Sequence, residues 1–311
     1  MNRLENVIII GSGPAGYTAA LYAARGDLHP LLVEGYSWGG LLQQTTDIEN
    51  YPGFSEGIMG PQLMQEFRAQ AARFGAQLIT EEVDKVELSK TGGVHRVWVG
   101  NEQYETKTVI LSMGAQHKKL GVPGEAEFSG KGVSYCATCD AAFFREHQTV
   151  IVGGGDSAME EALFLAKFAD KVTVVHRRNE FRASKIMLNR VKQHPNIELL
   201  TPYVVRELEG ESGLLSHAIL ENTETQETKI IEATGVFVAI GHEPQSQLVK
   251  DQVNVDENGY VITEGKSTLT NLPGVFAAGD LVDHTYRQAI TAAGSGSQAA
   301  LDAERYLRDL D

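Results

Sequence analysis

Two glycine-rich turns constrain the fold of this chain more than any other feature. The first, "GSGPAG" at residues 11–16, follows the run "ENVIII" and precedes "YTAALYAARG". The second, "GGGDSA" at residues 153–158, follows "QTVIV" and precedes "MEEALFLAKFAD". A strand, a glycine-rich turn, a helix and another strand form the βαβ unit that binds a dinucleotide. One such turn is a weak signal, but two in the same context predict two dinucleotide-binding folds.

The pyrophosphate of a bound dinucleotide is expected at the N-terminus of each helix, where free N–H groups and the helix dipole favour anions. Pro14 suits this position because proline is tolerated at the first residue of a helix. Asp156 is less suited to a phosphate neighbour, and we expect it to be a helix N-cap. The candidate residues of the two turns are Gly11, Ser12, Gly13, Pro14, Ala15 and Gly16, and then Gly153 and Gly155.

The residues that end the second strand of each unit distinguish the two nucleotides. Glu34 ends the first, and a carboxylate there accepts hydrogen bonds from ribose hydroxyls and repels a 2′-phosphate, so this copy suits FAD or NAD. The second copy has "HRRNEFR" at residues 176–182 instead. Arginine matches phosphate geometry, so this copy favours NADPH over NADH. The alternative for this stretch is a solvated basic turn.

Cys136 and Cys139 are the only cysteines, in the sequence "SYCATCD". A zinc site needs four ligands and no second pair is present, so we predict no metal. A disulfide closing so short a loop stabilises a fold little, which leaves a redox-active dithiol as the better interpretation. Asp140 follows directly and is either the general acid for a leaving thiolate or an N-cap for the next turn.

Composition bounds the location and the partners. A formal net charge of −14 argues against a general nucleic-acid binder, so no nucleic-acid partner is expected. The N-terminus lacks the apolar core of a secretory signal, and no apolar stretch approaches the roughly 18–20 residues of a membrane span. Two cysteines are too few for a secreted disulfide framework. We therefore expect a cytoplasmic protein without a membrane partner.

Further motifs carry a family resemblance. The order GxGPAG, ENYPG, CATCD, GGGDSAxEEA, HRRxxFRA, VAIGHEP, GVFAAGD and YRQAxTAAGSG resembles low-molecular-weight bacterial thioredoxin reductase over nearly the full length. The resemblance implies an α/β fold with two Rossmann-like domains, the NADPH domain being inserted into the FAD domain. The implied boundaries are 1–117 and 246–311 for the FAD domain and 118–245 for the NADPH domain with its CxxC motif.

The resemblance also implies an activity, thioredoxin-disulfide reduction by NADPH through FAD, in a homodimer. It makes Cys139 the sulfur next to the flavin, Cys136 the sulfur that attacks thioredoxin, and Asp140 the acid. The residues implied around FAD are Glu34, Gly39, Gly40, Leu41, Asn50, Val83, Gly279, Asp280, Arg287, Gln288, Ala289 and Ile290. Those implied around NADPH are Ser157, His176, Arg177, Arg178, Arg182, Ile240 and Tyr260.

Three other functions are weighed against this one. A flavin reductase for ferredoxin or quinone typically lacks the CxxC motif, a dithiol oxidase that uses oxygen has no need of the arginines, and an NADPH-sensing module has no need of a redox pair. The chain departs from many relatives at Leu41, Gln43, Gln44 and Ala141. These departures bear on flavin contacts near Leu41, whereas the residues that carry the chemistry match.

Overall fold

A computed structural model describes residues 4–45 and 47–310, and it divides the chain into two compact units. Unit 1 is formed by both ends of the chain, Met1–Gln116 and Glu243–Asp311, and unit 2 is His117–His242. The strands, in chain order, are β1 (Leu4–Ile10), β2 (Leu31–Val33), β3 (Asp47–Ile48), β4 (Ile58–Met59), β5 (Gln77–Ile79), β6 (Val83–Glu87), β7 (His95–Val99), β8 (Glu102–Leu111), β9 (Ala115–His117), β10 (Val133–Ser134), β11 (Gln148–Val152), β12 (Lys171–Val175), β13 (Ile197–Leu200), β14 (Tyr203–Glu211), β15 (Leu214–Asn222), β16 (Thr228–Glu232), β17 (Gly235–Val238), β18 (His242–Pro244) and β19 (Val275–Ala277). The helices are α1 (Pro14–Arg25), α2 (Gly60–Arg73), α3 (Ala137–Asp140), α4 (Asp156–Leu165), α5 (Lys185–Gln193) and α6 (Ala289–Arg308), with short 3₁₀ helices at Gly40–Gln44, Ala141–Phe144 and Gly279–Leu281.

Unit 1 is built on a sheet of seven strands in the order β5-β2-β1-β8-β7-β6, in which β19 also pairs with β8. β1, β2, β5, β8 and β19 run parallel, and β7 is antiparallel to its neighbours. The β-branched runs of the parallel strands are buried on both faces, as such strands require. Alternate residues of β1 belong to two separate cores, and α1, α2 and α6 contribute to one of them.

Unit 2 contains a parallel sheet in the order β10-β17-β11-β12-β13 and an antiparallel sheet in the order β14-β15-β16. One face of the parallel sheet packs against α4, and the other packs against side chains of β14 and β15. The predicted fold class is confirmed: each unit has the parallel strand–turn–helix–strand arrangement, and unit 2 is inserted into unit 1.

The C-terminal helix is longer than the sequence pattern predicted. We expected a helix over "ALDAERYLRDLD", the last residue of which lies outside the described part, but α6 begins at Ala289. Its first half is rich in alanine, glycine and serine, which hides the helical pattern. These small residues permit close packing on α1, because a Cβ atom on Gly296 would lie 2.1 Å from the carbonyl oxygen of Ala15.

None of the helices in residues 4–45 and 47–310 is long and apolar enough to cross a membrane.

Candidate active site: a disulfide and two nucleotide-binding turns

The two cysteines are joined to each other at the start of α3. Cys136 and Cys139 form a disulfide, in which Cys139 is exposed and Cys136 is half-buried. The N–H groups of Cys139 and Asp140 both donate to the carbonyl oxygen of Cys136, at 3.2 Å. This short turn keeps the disulfide at the surface of unit 2, and Cys136, the sulfur predicted to attack a partner, is the less exposed of the two cysteines. Within the described ranges, no group of three or more His, Cys, Asp or Glu side chains could hold a metal ion.

Asp140 is held beside the disulfide by a serine hydroxyl. The Oγ atom of Ser134 donates to Oδ2 of Asp140 at 2.6 Å and accepts from the N–H of Cys136 at 3.1 Å. Burial raises the pKa of Asp140, although the hydrogen bond from Ser134 opposes the shift. Asp140 occupies the N-cap position of the 3₁₀ helix that follows, as the capping alternative expected, but its carboxyl group makes no capping hydrogen bond there. A carboxyl group with a raised pKa is suited to holding a proton.

The first glycine-rich turn leaves open space in front of α1. Gly11 has a φ of +100°, and a Cβ atom there would meet the carbonyl oxygen of Ser112 at 2.5 Å. A Cβ atom on Gly13 would meet no described atom within 4 Å. The side chain of Ser12 closes the turn by donating to the carbonyl oxygen of Glu34 and accepting from the N–H of Gly39. Gly13 therefore borders a cradle that a side chain would fill, which fits a dinucleotide pyrophosphate.

The carboxylate of Glu34 is already occupied by protein donors. Tyr17 and the Nε atom of Arg68 donate to its Oε1 atom, and Thr80 and a terminal nitrogen of Arg68 donate to Oε2, all at 2.7–3.0 Å. Burial alone would raise the pKa of Glu34, but the hydrogen bonds from Arg68, Tyr17 and Thr80 outweigh it and the pKa is lowered. A carboxylate has about four acceptor positions, so a ribose hydroxyl would have to displace one of these donors. A ribose contact of Glu34 stays a prediction.

The turn that follows β19 carries a buried acceptor without a partner. The Oδ1 atom of Asp280 is buried, and no described group forms a hydrogen bond with it. Burial, together with the nearby charge of Asp283 and against that of Arg287, raises the pKa of Asp280 to about 6. Buried polar atoms usually have partners. The unpaired oxygen therefore fits a cofactor with hydroxyl donors, as FAD has.

Other residues predicted around FAD lie at the start of α6, in two 3₁₀ helices, on the sheet and between β3 and β4. The side chain of Asn50 donates to Oε1 of Gln288 at 3.2 Å, and Gln288 and Thr291 form a capping box. Asp283 accepts from the N–H of Arg287 and so orients the backbone before α6. Ala289 and Ile290 begin that helix, Gly279 begins a 3₁₀ helix, Val83 begins β6, and Gly40 and Leu41 lie in a 3₁₀ helix after Gly39.

The second glycine-rich turn resembles the first, but its acidic residue has a different role from the one expected. Gly155, not Asp156, occupies the N-cap of α4, and a Cβ atom on Gly155 would meet no described atom within 4 Å. The carboxylate of Asp156 instead accepts a hydrogen bond from the N–H of Ser184 at 2.7 Å. The capping prediction for Asp156 is wrong, because its side chain is committed to a loop distant in sequence. Ser157, in the first turn of α4, is exposed.

The basic residues after β12 are exposed, and none of them forms an ion pair within the described part of the chain. These are Arg177, Arg178 and Arg182. His176 differs because its ring is buried, stacks on Phe181 and lies 3.1 Å from the carbonyl oxygen of Glu180. Burial, and then the neighbouring arginines, lower its pKa. The guanidinium groups are therefore available to an anion, whereas the imidazole is packed inside the loop.

Two further residues predicted around NADPH do not belong to this loop. Ile240 is half-buried and packs against the core between the two sheets of unit 2. Tyr260 lies in unit 1, with its ring centroid 5.7 Å from that of His284. Burial raises the pKa of Tyr260, with Arg287 acting in the opposite direction.

Sequence reasoning missed the residues that support these groups. Ser134 stands beside Asp140, while Tyr17, Arg68 and Thr80 surround Glu34. An acidic residue at the end of a buried strand requires a cationic partner, which is a signal that such a partner exists. It does not say where in the sequence that partner stands.

Comparison with known proteins places this geometry in a family. Residues 5–296 match the model of the pyridine nucleotide-disulphide oxidoreductase family, and the chain belongs to that family. From that membership it follows that the protein is an oxidoreductase that acts on disulfides and pyridine nucleotides, and that its cofactors are FAD and NADPH. Both conclusions agree with the sequence predictions.

The individual relatives are thioredoxin reductases. The chain is 57% identical to thioredoxin reductase of Mycolicibacterium smegmatis, covering 99% of this chain and 98% of the relative. It is 56% identical, over 98% of its own length and 66% of the relative, to the bifunctional thioredoxin reductase/thioredoxin of Mycobacterium leprae. The crystal structure of thioredoxin reductase from Streptococcus pyogenes matches with a TM-score of 0.93 and 41% identity, covering 99% of this chain and 100% of that one. The predicted family resemblance is thereby confirmed.

Proposed function

We propose that this enzyme reduces the disulfide of a thioredoxin with electrons from NADPH. The observation that carries the proposal is the Cys136–Cys139 disulfide, exposed at Cys139 and accompanied by the buried carboxyl group of Asp140. When bound, FAD supplies the transfer of an electron pair from NADPH to this disulfide. The overall reaction balances as NADPH, a proton and a thioredoxin disulfide giving NADP⁺ and a thioredoxin dithiol.

The cysteines exchange the electron pair with the partner by thiol–disulfide exchange. After the Cys136–Cys139 bond has taken up two electrons, the Cys136 thiolate attacks one sulfur of the partner disulfide and displaces the other. Cys139 then attacks the Sγ atom of Cys136 in the mixed disulfide, which restores the Cys136–Cys139 bond and releases the second partner sulfur. Asp140 gives its proton to a departing thiolate, a role that its raised pKa supports.

We assign the cofactors to the two units by their turns. Unit 1 would hold FAD through the cradle at Gly13, the unpaired oxygen of Asp280 and the residues near the start of α6. Unit 2 would hold NADPH through the cradle at Gly155 and the exposed guanidinium groups of Arg177, Arg178 and Arg182. In this assignment the FAD domain is the predicted one of residues 1–117 and 246–311, and the NADPH domain is the predicted one of residues 118–245.

Thioredoxin as the partner is supported by the relatives. Relatives at 57% and 56% identity carry thioredoxin reductase in their names, and the Mycobacterium leprae relative is named for both activities. The net charge of −14 disfavours a nucleic-acid partner.

A homodimer in the cytoplasm completes the proposal. A groove of about 970 Å³ in unit 1 lies among α1, α2 and the start of α6, and Tyr22 and Ile290 at its edge are exposed. Glu66 and Arg73 line the same groove, so that two copies related by a twofold axis could pair these charges. Light scattering on the purified protein would report the mass of a monomer if this part of the proposal is wrong.

The function is tested by following NADPH oxidation with and without a thioredoxin. We expect turnover that depends on thioredoxin in the wild type, and its loss in Cys136→Ser and in Cys139→Ser. Both variants should retain bound FAD, which serves as the control for folding. Thioredoxin-dependent turnover that survived the loss of either thiol would refute the proposed mechanism.

A further inference from the structure

The loop that carries the arginines in unit 2 is attached to the glycine-rich turn. The carbonyl oxygen of Gly154 accepts hydrogen bonds from the N–H groups of Arg182 and Ala183, at 2.8 and 3.1 Å. The imidazole of His176 fills the space over Gly154, where a Cβ atom would come within 2.2 Å of the ring. The segment that recognises a 2′-phosphate and the segment that receives a pyrophosphate are therefore in direct contact.

The carboxylate of Asp156 makes a further contact between the glycine-rich turn and the arginine loop. Its Oδ1 atom accepts from the N–H of Ser184 at 2.7 Å, and the Oγ atom of Ser184 in turn accepts from the N–H of Met187 as the N-cap of α5. Asp156 is the first residue of α4, so this contact joins the start of α4 to the start of α5. The end of the arginine loop is thereby fixed at both helices.

A carboxylate at this position has an electrostatic disadvantage. The N-terminus of α4 is where the pyrophosphate of a dinucleotide is expected, and two negative charges there repel each other. Removal of the Asp156 charge should by itself tighten the binding of any phosphate in the turn. The contact with Ser184 provides a physical reason for a carboxylate there, because it orders the loop before the nucleotide arrives.

We propose that Asp156 is a positioning residue for NADPH selectivity: by holding Ser184, it places the exposed arginines of residues 177–182 where the 2′-phosphate binds. Guanidinium groups recognise phosphate in a fixed, bidentate geometry, so they discriminate best when their backbone is already ordered. Asp156 does not touch the 2′-phosphate in this account. The inference rests on the proposed assignment of NADPH to unit 2.

The test compares two nucleotides that differ only in the 2′-phosphate. Calorimetry on the full-length, FAD-loaded protein gives dissociation constants for 2′,5′-ADP and for 5′-AMP. The variants are Asp156→Ala, which removes the acceptor and the charge, and Asp156→Asn, which removes the charge but keeps an oxygen that can accept from Ser184. Neither readout depends on thioredoxin or on turnover.

We expect Asp156→Ala to bind 2′,5′-ADP about tenfold more weakly than the wild type, as the loss of a hydrogen bond to a charged group predicts. Binding of 5′-AMP should not weaken in Asp156→Ala, because loss of the charge favours its phosphate, and this also reports that the turn is folded. Asp156→Asn should keep the wild-type preference for 2′,5′-ADP.

Two other results are decisive. If both variants bind both nucleotides more tightly and to the same degree, Asp156 acts only through its charge and the positioning role is wrong. If the wild-type protein itself does not prefer 2′,5′-ADP over 5′-AMP, the assignment of NADPH to unit 2 is wrong, and the inference falls with it.

Discussion

Burial raises the pKa of Asp140, and one serine hydroxyl opposes that shift. The hydroxyl group of Ser134 donates to the carboxyl group and at the same time accepts from the N–H of Cys136, so it joins the acid to the redox turn. Burial raises the pKa of Asp140, and this hydrogen bond lowers it because it stabilises the charged form. Burial and the hydroxyl together therefore set the pH range over which the acid keeps its proton.

Replacing Ser134 should move that range upward. In Ser134→Ala the opposing hydrogen bond is lost, so the pKa of Asp140 rises and the protonated acid persists to higher pH. The rate at which the reduced enzyme reduces thioredoxin, measured in a single turnover, should fall at high pH as Asp140 loses its proton. We expect this basic limb of the pH profile to shift to higher pH in Ser134→Ala. Ser134→Thr keeps the hydroxyl and should keep the wild-type profile, and Asp140→Asn should lack this limb. A limb that stays in place or moves to lower pH in Ser134→Ala would contradict the role of Ser134.

Sequence reasoning identified Cys136, Cys139 and Asp140 because their spacing has a chemical meaning. Ser134 has no such mark, since a serine two residues before a cysteine is common in any loop. Its importance arises only once the turn brings its hydroxyl to 2.6 Å from the carboxyl group of Asp140.

Asp280 should make the cofactor-free protein less stable as the pH rises. Its pKa of about 6 in the fold lies above the ordinary value of 3.8, so the folded state binds the proton more tightly than the unfolded state. The resulting stability is present below pH 4 and is lost as the pH rises to 6, a change of about 2–3 kcal/mol. Asp280→Asn should match the wild type in free energy of unfolding near pH 4 and exceed it at pH 7.5 by about that amount.

Urea unfolding of the cofactor-free proteins at the two pH values measures this difference. Asp283→Asn should lower the stability and also weaken its pH dependence, because the Asp283 carboxylate accepts hydrogen bonds from the backbone before α6 and contributes to the raised pKa of Asp280. A difference between wild type and Asp280→Asn that did not change with pH would show that burial does not raise the pKa of Asp280.

At the scale of elements, Glu34 joins four parts of unit 1. It follows β2, and its partners Tyr17, Arg68 and Thr80 lie on α1, on α2 and directly after β5. The side chain of Glu34 is fully buried and that of Arg68 is 38% exposed, so the pair is shielded on one side only. Loss of the arginine would leave a buried carboxylate without its cation, which is costly.

A double-mutant cycle tests this connection. Arg68→Met should lower the free energy of unfolding by about 2–4 kcal/mol when Glu34 is present, and by less than about 1 kcal/mol in the Glu34→Gln background. The cycle is measured by urea unfolding of the cofactor-free protein. Additive effects of the two replacements would mean that the buried carboxylate does not depend on Arg68.

The elements themselves were predictable where one periodicity dominates. The two strand–turn–helix–strand units follow from β-branched runs next to glycine-rich turns, as β1 with α1 and β11 with α4 demonstrate. The first half of α6 was missed because glycine and alanine occupy positions where close packing on α1, not apolar size, decides the residue. The local pattern of apolar residues indicates where large side chains are buried, but it does not indicate close packing through small residues.

At the scale of the whole molecule, the local sequence pattern could not predict that the chain returns to unit 1 after unit 2. β19 pairs with β8, a strand more than 160 positions earlier in the chain (Val275 opposite Val109), and unit 2 occupies His117–His242 between them. Such a pairing forms only when the folded chain brings the two strands side by side. Neither strand differs in sequence from an ordinary buried strand, so the sequence does not mark them as partners. The inserted arrangement was predicted from family resemblance, and the structure and its relatives confirm it.

The central claim is that an electron pair from NADPH reaches the Cys136–Cys139 disulfide. The most direct measurement is to add one equivalent of NADPH anaerobically to the oxidised protein, alkylate the thiols under denaturing conditions and determine the mass of each labelled peptide. We predict that both cysteines become alkylated in the presence of NADPH and that neither does in its absence. Oxidation of NADPH with the Cys136–Cys139 disulfide left intact would contradict the account.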